Sequence, residues 1–177
     1  MRIKGKTEVA CVYDPMLNEL FTAQRGSGAQ LNNARIRVKQ VKDLQGTVLA
    51  TGFPFKQKQH SESYFKIMSA LFVDCSDFRR TGSAALDLCY LAASRVDGFF
   101  ELGLKPWDIA AGELIAREAG AIVTDFAGGT DYMKSGNVVA SSARGVKGML
   151  KHIRENGNEA LLKLSLIHIS EPTRQVP

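Results

Sequence analysis

Apolar and polar positions alternate with a period of two over residues 6–14 (Lys-Thr-Glu-Val-Ala-Cys-Val-Tyr-Asp) and again over 19–24 (Glu-Leu-Phe-Thr-Ala-Gln). That period places alternate side chains on opposite faces and predicts strands. The interval Asp14-Pro15-Met16-Leu17-Asn18 is rich in turn formers, so the two strands are expected to make a hairpin. Arg25-Gly26-Ser27-Gly28 then redirects the chain toward a short strand over 36–38. The two glycines could serve a phosphate cradle or a tight hairpin turn. No helical pattern follows them, which favours the turn.

From Gly46 onward strand-like and helix-like segments interleave. Strands are predicted over 47–51, 77–80, 98–102, 122–125 and 138–141, and helices over 61–72, 84–94, 109–119 and 146–156. This alternation predicts an α/β fold, a mixed sheet with helices on its faces. The sharpest helix starts at Asp108: Ile109, Ala110, Leu114, Ile115 and Ala119 recur at helical spacing, and Gly120 stops it. Three regions follow. Residues 1–45 form a strand meander that reads as the remnant of an α+β domain, because one apolar face of such a sheet needs a cover. Residues 46–157 form the α/β domain. Residues 158–177 read as an unrelated or disordered tail; Leu164 to Pro177 breaks the helical character, and His168 is set aside with it.

A chain of 177 residues with 45% hydrophobic and 23% charged content belongs to the soluble globular class. The net charge of +5 is spread along the chain in single residues and short pairs such as Arg79-Arg80, so charge alone defines no nucleic-acid surface. Cys11, Cys75 and Cys89 are odd in number and lack C-x-x-C spacing, which indicates neither a disulfide framework nor a zinc cluster and predicts reduced, buried thiols. No apolar run is long enough to cross a bilayer and the N-terminus lacks a signal-peptide core, so a cytoplasmic location without membrane contact is expected.

Candidate chemistry gathers at two helix starts. Asp108, in the first turn of its helix, could cap backbone N–H groups or hold a metal or phosphate. Trp107 reads as a packed aromatic that fixes the start of this helix, without a chemical role. Seven residues before Asp108, Glu101 ends an apolar strand, where open α/β sheets bind ligands; a solvated strand-end charge is the alternative. Lys105 could approach the same ligand. Arg79-Arg80-Thr81-Gly82-Ser83-Ala84-Ala85 leads into another helix, so Ser83 is either its cap or part of an anion or polyol site. His60 and His152 have no Gly-x-Ser-x-Gly companion, and Gly-x-Gly-x-x-Gly is absent, which argues against serine hydrolase and dinucleotide chemistry.

The stretch Trp-Asp-x-Ala-Ala-Gly-x-Leu-Ile-x-x-Glu-Ala-Gly from Trp107 to Gly120 resembles the C-terminal signature of the inositol monophosphatase family. Gly5 to Met16, Asn18 to Ala23 and Ala50-Thr-Gly-Phe-Pro-Phe55 are similar to the same family, so the resemblance covers about residues 1–155. It implies the C-terminal portion of a layered α-β-α-β-α fold and Mg²⁺-dependent hydrolysis of inositol 1-phosphate or a related polyol phosphate. It further implies a catalytic Asp108 that ligates the second Mg²⁺ and contacts an inositol hydroxyl, with Glu101 accepting hydroxyl hydrogen bonds. Gly82, Ser83 and Ala84 would line the inositol pocket. Arg79 would reach substrate or an intersubunit partner in a homodimer. The bacterial branch of the family that the chain most resembles is also tied to transcription antitermination and ribosomal RNA maturation, through RNA polymerase and Nus-factor contacts.

The family's remaining metal ligands come from an upstream glutamate and an Asp-Pro-Leu-Asp-Gly-Thr segment, and the sequence contains no such segment. Mg²⁺ prefers octahedral oxygen coordination, which one aspartate does not supply. The resemblance therefore implies a C-terminal fragment that binds Mg²⁺ weakly and hydrolyses little on its own.

Overall fold

A computed structural model describes residues 1–55 and 57–163. A short hairpin, β1 (Arg2–Ile3) and β2 (Lys6–Thr7), precedes four antiparallel strands in sequential order: β3 (Val9–Asp14), β4 (Glu19–Gln24), β5 (Gly28–Leu31) and β6 (Ala34–Ile36). The expected strand over 6–14 is thus divided at Glu8, and the one expected over 36–38 lies two residues earlier. The Asp14 carboxylate closes the β3–β4 turn by accepting the N–H groups of Met16 and Leu17 at 2.9 and 3.2 Å. Asn32 and Asn33, both at positive φ, turn β5 into β6. The Gly26–Gly28 segment is a hairpin turn, and both glycine N–H groups donate to the Glu118 carboxylate at 2.8 Å.

The second sheet is mixed. It contains β7 (Val48–Thr51), β8 (Asp77–Arg79), β9 (Gly98–Glu101), β10 (Ile122–Thr124) and β11 (Val138–Ser141) in the order β10-β11-β9-β7-β8. β7 runs parallel to both β8 and β9, while β10 and β11 are antiparallel additions. The helices are α1 (Ser61–Asp74), α2 (Ala84–Ala92), α3 (Pro106–Glu118), α4 (Tyr132–Ser135), α5 (Ala143–Asn156) and α6 (Glu159–Lys163).

Period-two alternation assigns the faces of this sheet to two cores. Ala50, Phe99, Val138 and Ala140 meet α2, α3 and the meander residues Ala10, Phe21 and Ala23. Leu49, Phe100 and Val139 meet α1 and α5 through Tyr64, Ile67, Met149 and Ile153. The layers are therefore meander, α2 with α3, mixed sheet, α1 with α5, as expected for a C-terminal portion of the five-layered fold. The meander's inner face is covered by sharing a core with α2 and α3, while Val9, Cys11, Tyr13 and Leu20 of its other face are exposed. Cys11 thus departs from the expectation of buried thiols; Cys75 and Cys89 meet it.

Two further departures have local causes. Pro106 has no N–H to leave unsatisfied and its φ suits a helix start, so α3 begins there and not at Asp108. Residue 157 does not end the folded chain: α6 follows, and Leu161, 1% exposed, packs into the second core. The expected tail over 158–177 thus begins with an ordered turn of helix, and residues 164–177 lie outside the described part. Among the described residues no helix is long and apolar enough to cross a membrane.

Candidate functional site

The carboxyl ends of the parallel neighbours β7 and β9 meet the N-termini of α2 and α3 around a cavity of about 290 Å³. Thr51 locks the floor: its hydroxyl donates to the Phe100 carbonyl at 2.8 Å and shares a 2.7 Å hydrogen bond with the buried Tyr64 hydroxyl. Glu101 follows Phe100 and its side chain enters the cavity wall, as do Gly82, Ser83, Ala84 and Asp108. The openings of the two helices therefore face one space. Gly112 makes this possible, since a Cβ there would lie 2.8 Å from the Leu88 Cβ and 3.1 Å from the Ala85 carbonyl.

Ser83 caps α2, accepting the Leu86 N–H at 3.4 Å, and Gly82 sits at φ +94°, a conformation that glycine adopts without strain. Asp108 is the third residue of α3, not its cap. Its Oδ2 accepts the backbone N–H of Lys105 at 2.9 Å, and the Asp108 N–H donates back to the Lys105 carbonyl, also at 2.9 Å. This clasp occupies one carboxylate oxygen and leaves the lone pairs of the other for a ligand.

Three residues singled out in the sequence lie outside the cavity or at its rim. The Arg79 guanidinium is paired with Asp77 and lies outside the cavity, whereas Arg80 lines it and stands 5.8 Å from the Phe53 ring centroid. Consecutive side chains at a strand end point to opposite sides, so only one of the arginine pair faces the site. Lys105 contributes its backbone at the α3 N-cap, and its exposed side chain is outside the cavity lining. Trp107 is 77% exposed at the rim and is not a packed aromatic.

Asp87, not foreseen as a site residue, is 1% exposed, lines the cavity and accepts the Thr81 hydroxyl at 2.7 Å. Its spacing of four residues from Ser83 on one helix face was the available signal. Burial pushes its carboxyl up to about 6, against the lowering effects of Thr81 and Arg80. Burial likewise pushes Glu101 up to about 7, with further raising by the Asp87 and Asp108 charges and lowering by Arg80. A carboxyl in that range switches between accepting and donating hydrogen bonds near neutrality. The Gln57 side-chain oxygen, also in the lining, is buried without a hydrogen-bond partner among the described residues, a free acceptor for a ligand hydroxyl.

An open carboxylate beside helix N–H groups and a mildly acidic carboxyl suits an anionic ligand that also carries hydroxyls. A family model described as "Inositol monophosphatase family" matches residues 1–159. The chain belongs to the inositol monophosphatase family. Curated members named "Nus factor SuhB" are 83% identical over 163 residues in Vibrio cholerae and 64% over 161 residues in Escherichia coli K12. These alignments cover 92% and 91% of this chain but 61% and 60% of the relatives, so the chain spans about three fifths of their length.

Solved structures agree on the fold. The extragenic suppressor protein suhB of Bartonella henselae matches with a TM-score of 0.82 at 40% identity, over 86% of this chain and 58% of that one. An inositol monophosphatase from Anabaena (Nostoc) matches with a TM-score of 0.82 at 32% identity, over 87% and 63%. The metal chemistry expected of the inositol monophosphatase family meets a limit in this chain. Among the described residues no three of His, Cys, Asp and Glu are grouped so as to hold a metal ion. Asp108 would fit as one oxygen ligand, and the described residues do not complete a cage for Mg²⁺.

Proposed function

We propose that this chain is the substrate-binding portion of a phosphomonoesterase for inositol 1-phosphate or a closely related polyol phosphate, inactive or nearly so by itself. The observation that carries this reading is the convergence of Ser83, Glu101 and Asp108, from α2, β9 and α3, on one cavity. In this reading the N–H groups at the start of α2 face the phosphate. Glu101 takes hydroxyl hydrogen bonds from the polyol, and Asp108 offers its open oxygen to a hydroxyl and to Mg²⁺. The chain's residues thereby bind and orient the ester before water replaces the polyol oxygen on phosphorus and the polyol leaves with a proton. Titration calorimetry of the purified chain with inositol 1-phosphate and with inorganic phosphate tests it. Tighter binding of the ester, weakened by Glu101→Gln and Asp108→Asn, is expected, with little Mg²⁺-dependent phosphate release. No preference for the ester overturns the substrate class, and robust release overturns the claim of inactivity.

A second reading rests on relatives named Nus factor SuhB, such as those 83% and 64% identical. It is a non-catalytic role in transcription antitermination and ribosomal RNA maturation through RNA polymerase and Nus-factor contacts. Pull-down of RNA polymerase by the chain, retained in Asp108→Asn, is its expected outcome, and loss in that variant opposes it. The family reading also includes a homodimer in the cytoplasm, tested by sedimentation of the purified chain.

A further inference from the structure

We infer that Gly52 is a positioning residue for Glu101 and thereby a determinant of polyol recognition, an inference that rests on the proposed polyol phosphate reading. β7 and β9 are parallel neighbours with Thr51 opposite Phe100, so Gly52 is the next residue across from Glu101. The Glu101 side chain folds sideways over this glycine. A Cβ built at Gly52 would lie 2.2 Å from Glu101 Oε1, 2.3 Å from its Cδ and 2.7 Å from Oε2. All three separations are inside van der Waals contact, so the carboxylate occupies the space that any other residue's side chain would fill.

The backbone gives no other reason for glycine, because Gly52 is absent from the positive-φ residues. Glu101 has no room to retreat along its strand either. Phe99 and Phe100 are fully buried in opposite cores, and the Thr51 hydroxyl pins the Phe100 carbonyl. A residue with a Cβ at position 52 therefore leaves one direction open, into the cavity. The carboxylate end of a glutamate rotates at small energetic expense, so the fold survives while the hydrogen-bond acceptor moves. With glycine present, the carboxylate lies against the wall and the centre of the cavity is left for a polyol ring. With alanine, it projects into that centre. The N–H groups at the start of α2, which the proposed reading assigns to the phosphate, lie on another element and are untouched.

The test uses the full chain and its Gly52→Ala variant, with crystal structures, thermal unfolding, and calorimetry against inositol 1-phosphate and inorganic phosphate. The expected result is an unfolding midpoint close to the parent's, a displaced Glu101 carboxylate, and at least tenfold weaker binding of inositol 1-phosphate. Inorganic phosphate should bind within twofold of the parent, a split that general loosening of the structure does not produce. Gly52→Ala combined with Glu101→Asp should recover part of the lost affinity, because the shorter side chain clears the added methyl. A parent that binds inositol 1-phosphate and a Gly52→Ala variant that binds it equally well overturn this inference alone. A parent that does not prefer inositol 1-phosphate over inorganic phosphate overturns the substrate reading and this inference with it. Equal losses for both ligands overturn the positioning role.

Discussion

The Thr81 hydroxyl donates to the buried Asp87 carboxylate at 2.7 Å, which ties the strand-to-helix loop holding Gly82 and Ser83 to the first turn of the helix it feeds. The loop's shape and the ionisation of Asp87 are therefore linked.

That link has a pH dependence with a definite sign. The Asp87 carboxyl rises from 3.8 to about 6 on folding, chiefly by burial, so the folded state holds its proton more tightly than the unfolded chain. Its contribution is most favourable below about pH 4 and is lost as pH rises toward 6. At about 1.4 kcal/mol per pKa unit the loss is on the order of 2 to 3 kcal/mol. Asp87→Asn keeps an acceptor for Thr81 and removes the ionisation. Urea unfolding from pH 4 to 7 should show a flatter profile for the variant, and parallel profiles would refute the assignment.

Asp108→Asn separates chemistry from capping. An asparagine oxygen still accepts the Lys105 N–H, so unfolding stability should change by less than about 1 kcal/mol, the usual scale of a helix-terminus charge. Asp108→Ala removes the acceptor and should destabilise by about 1 kcal/mol. Both should weaken binding of Mg²⁺ with inositol 1-phosphate, measured by calorimetry. Full binding by Asp108→Asn would remove the carboxylate from the site.

Glu113, 6% exposed, is held by the Arg117 Nε at 2.9 Å, and the same guanidinium donates to the Val123 carbonyl at 2.7 Å and the Tyr132 hydroxyl at 3.0 Å. Arg117→Met strands a buried carboxylate and should destabilise by about 3 kcal/mol. Adding Glu113→Gln should recover much of that loss. Additive effects of the two substitutions in denaturant unfolding would show that Glu113 and Arg117 are not coupled.

Leu161 tests how far the fold extends. Its side chain is 1% exposed and packs into the core on the α1 and α5 side of the mixed sheet, and the Asn137 amide donates to its carbonyl at 3.4 Å. Leu161→Ala should destabilise by roughly 2 to 4 kcal/mol. An unchanged unfolding midpoint would make this helix dispensable.

The sequence by itself determined the order of the longer strands and helices, because period two and helical spacing are written in local composition, whereas β5, α4 and α6 lay outside what it foretold. It also marked the Gly82-Ser83 turn, since turn chemistry acts over a few residues, but it placed the start of α3 at Asp108 where Pro106 begins it. Only the tertiary structure decided which groups share a cavity. Arg79 and Arg80 are adjacent in the chain, yet strand geometry sends one to Asp77 and the other into the site. Asp87 is buried only in the assembled fold, and Gly52 meets the Glu101 carboxylate only because β9 lies beside β7. These relationships join residues from 6 to 49 positions apart, linking Thr81 with Asp87 and Gly52 with Glu101. Burial and close approach are properties of assembled layers, and no pattern confined to a few neighbouring residues encodes them.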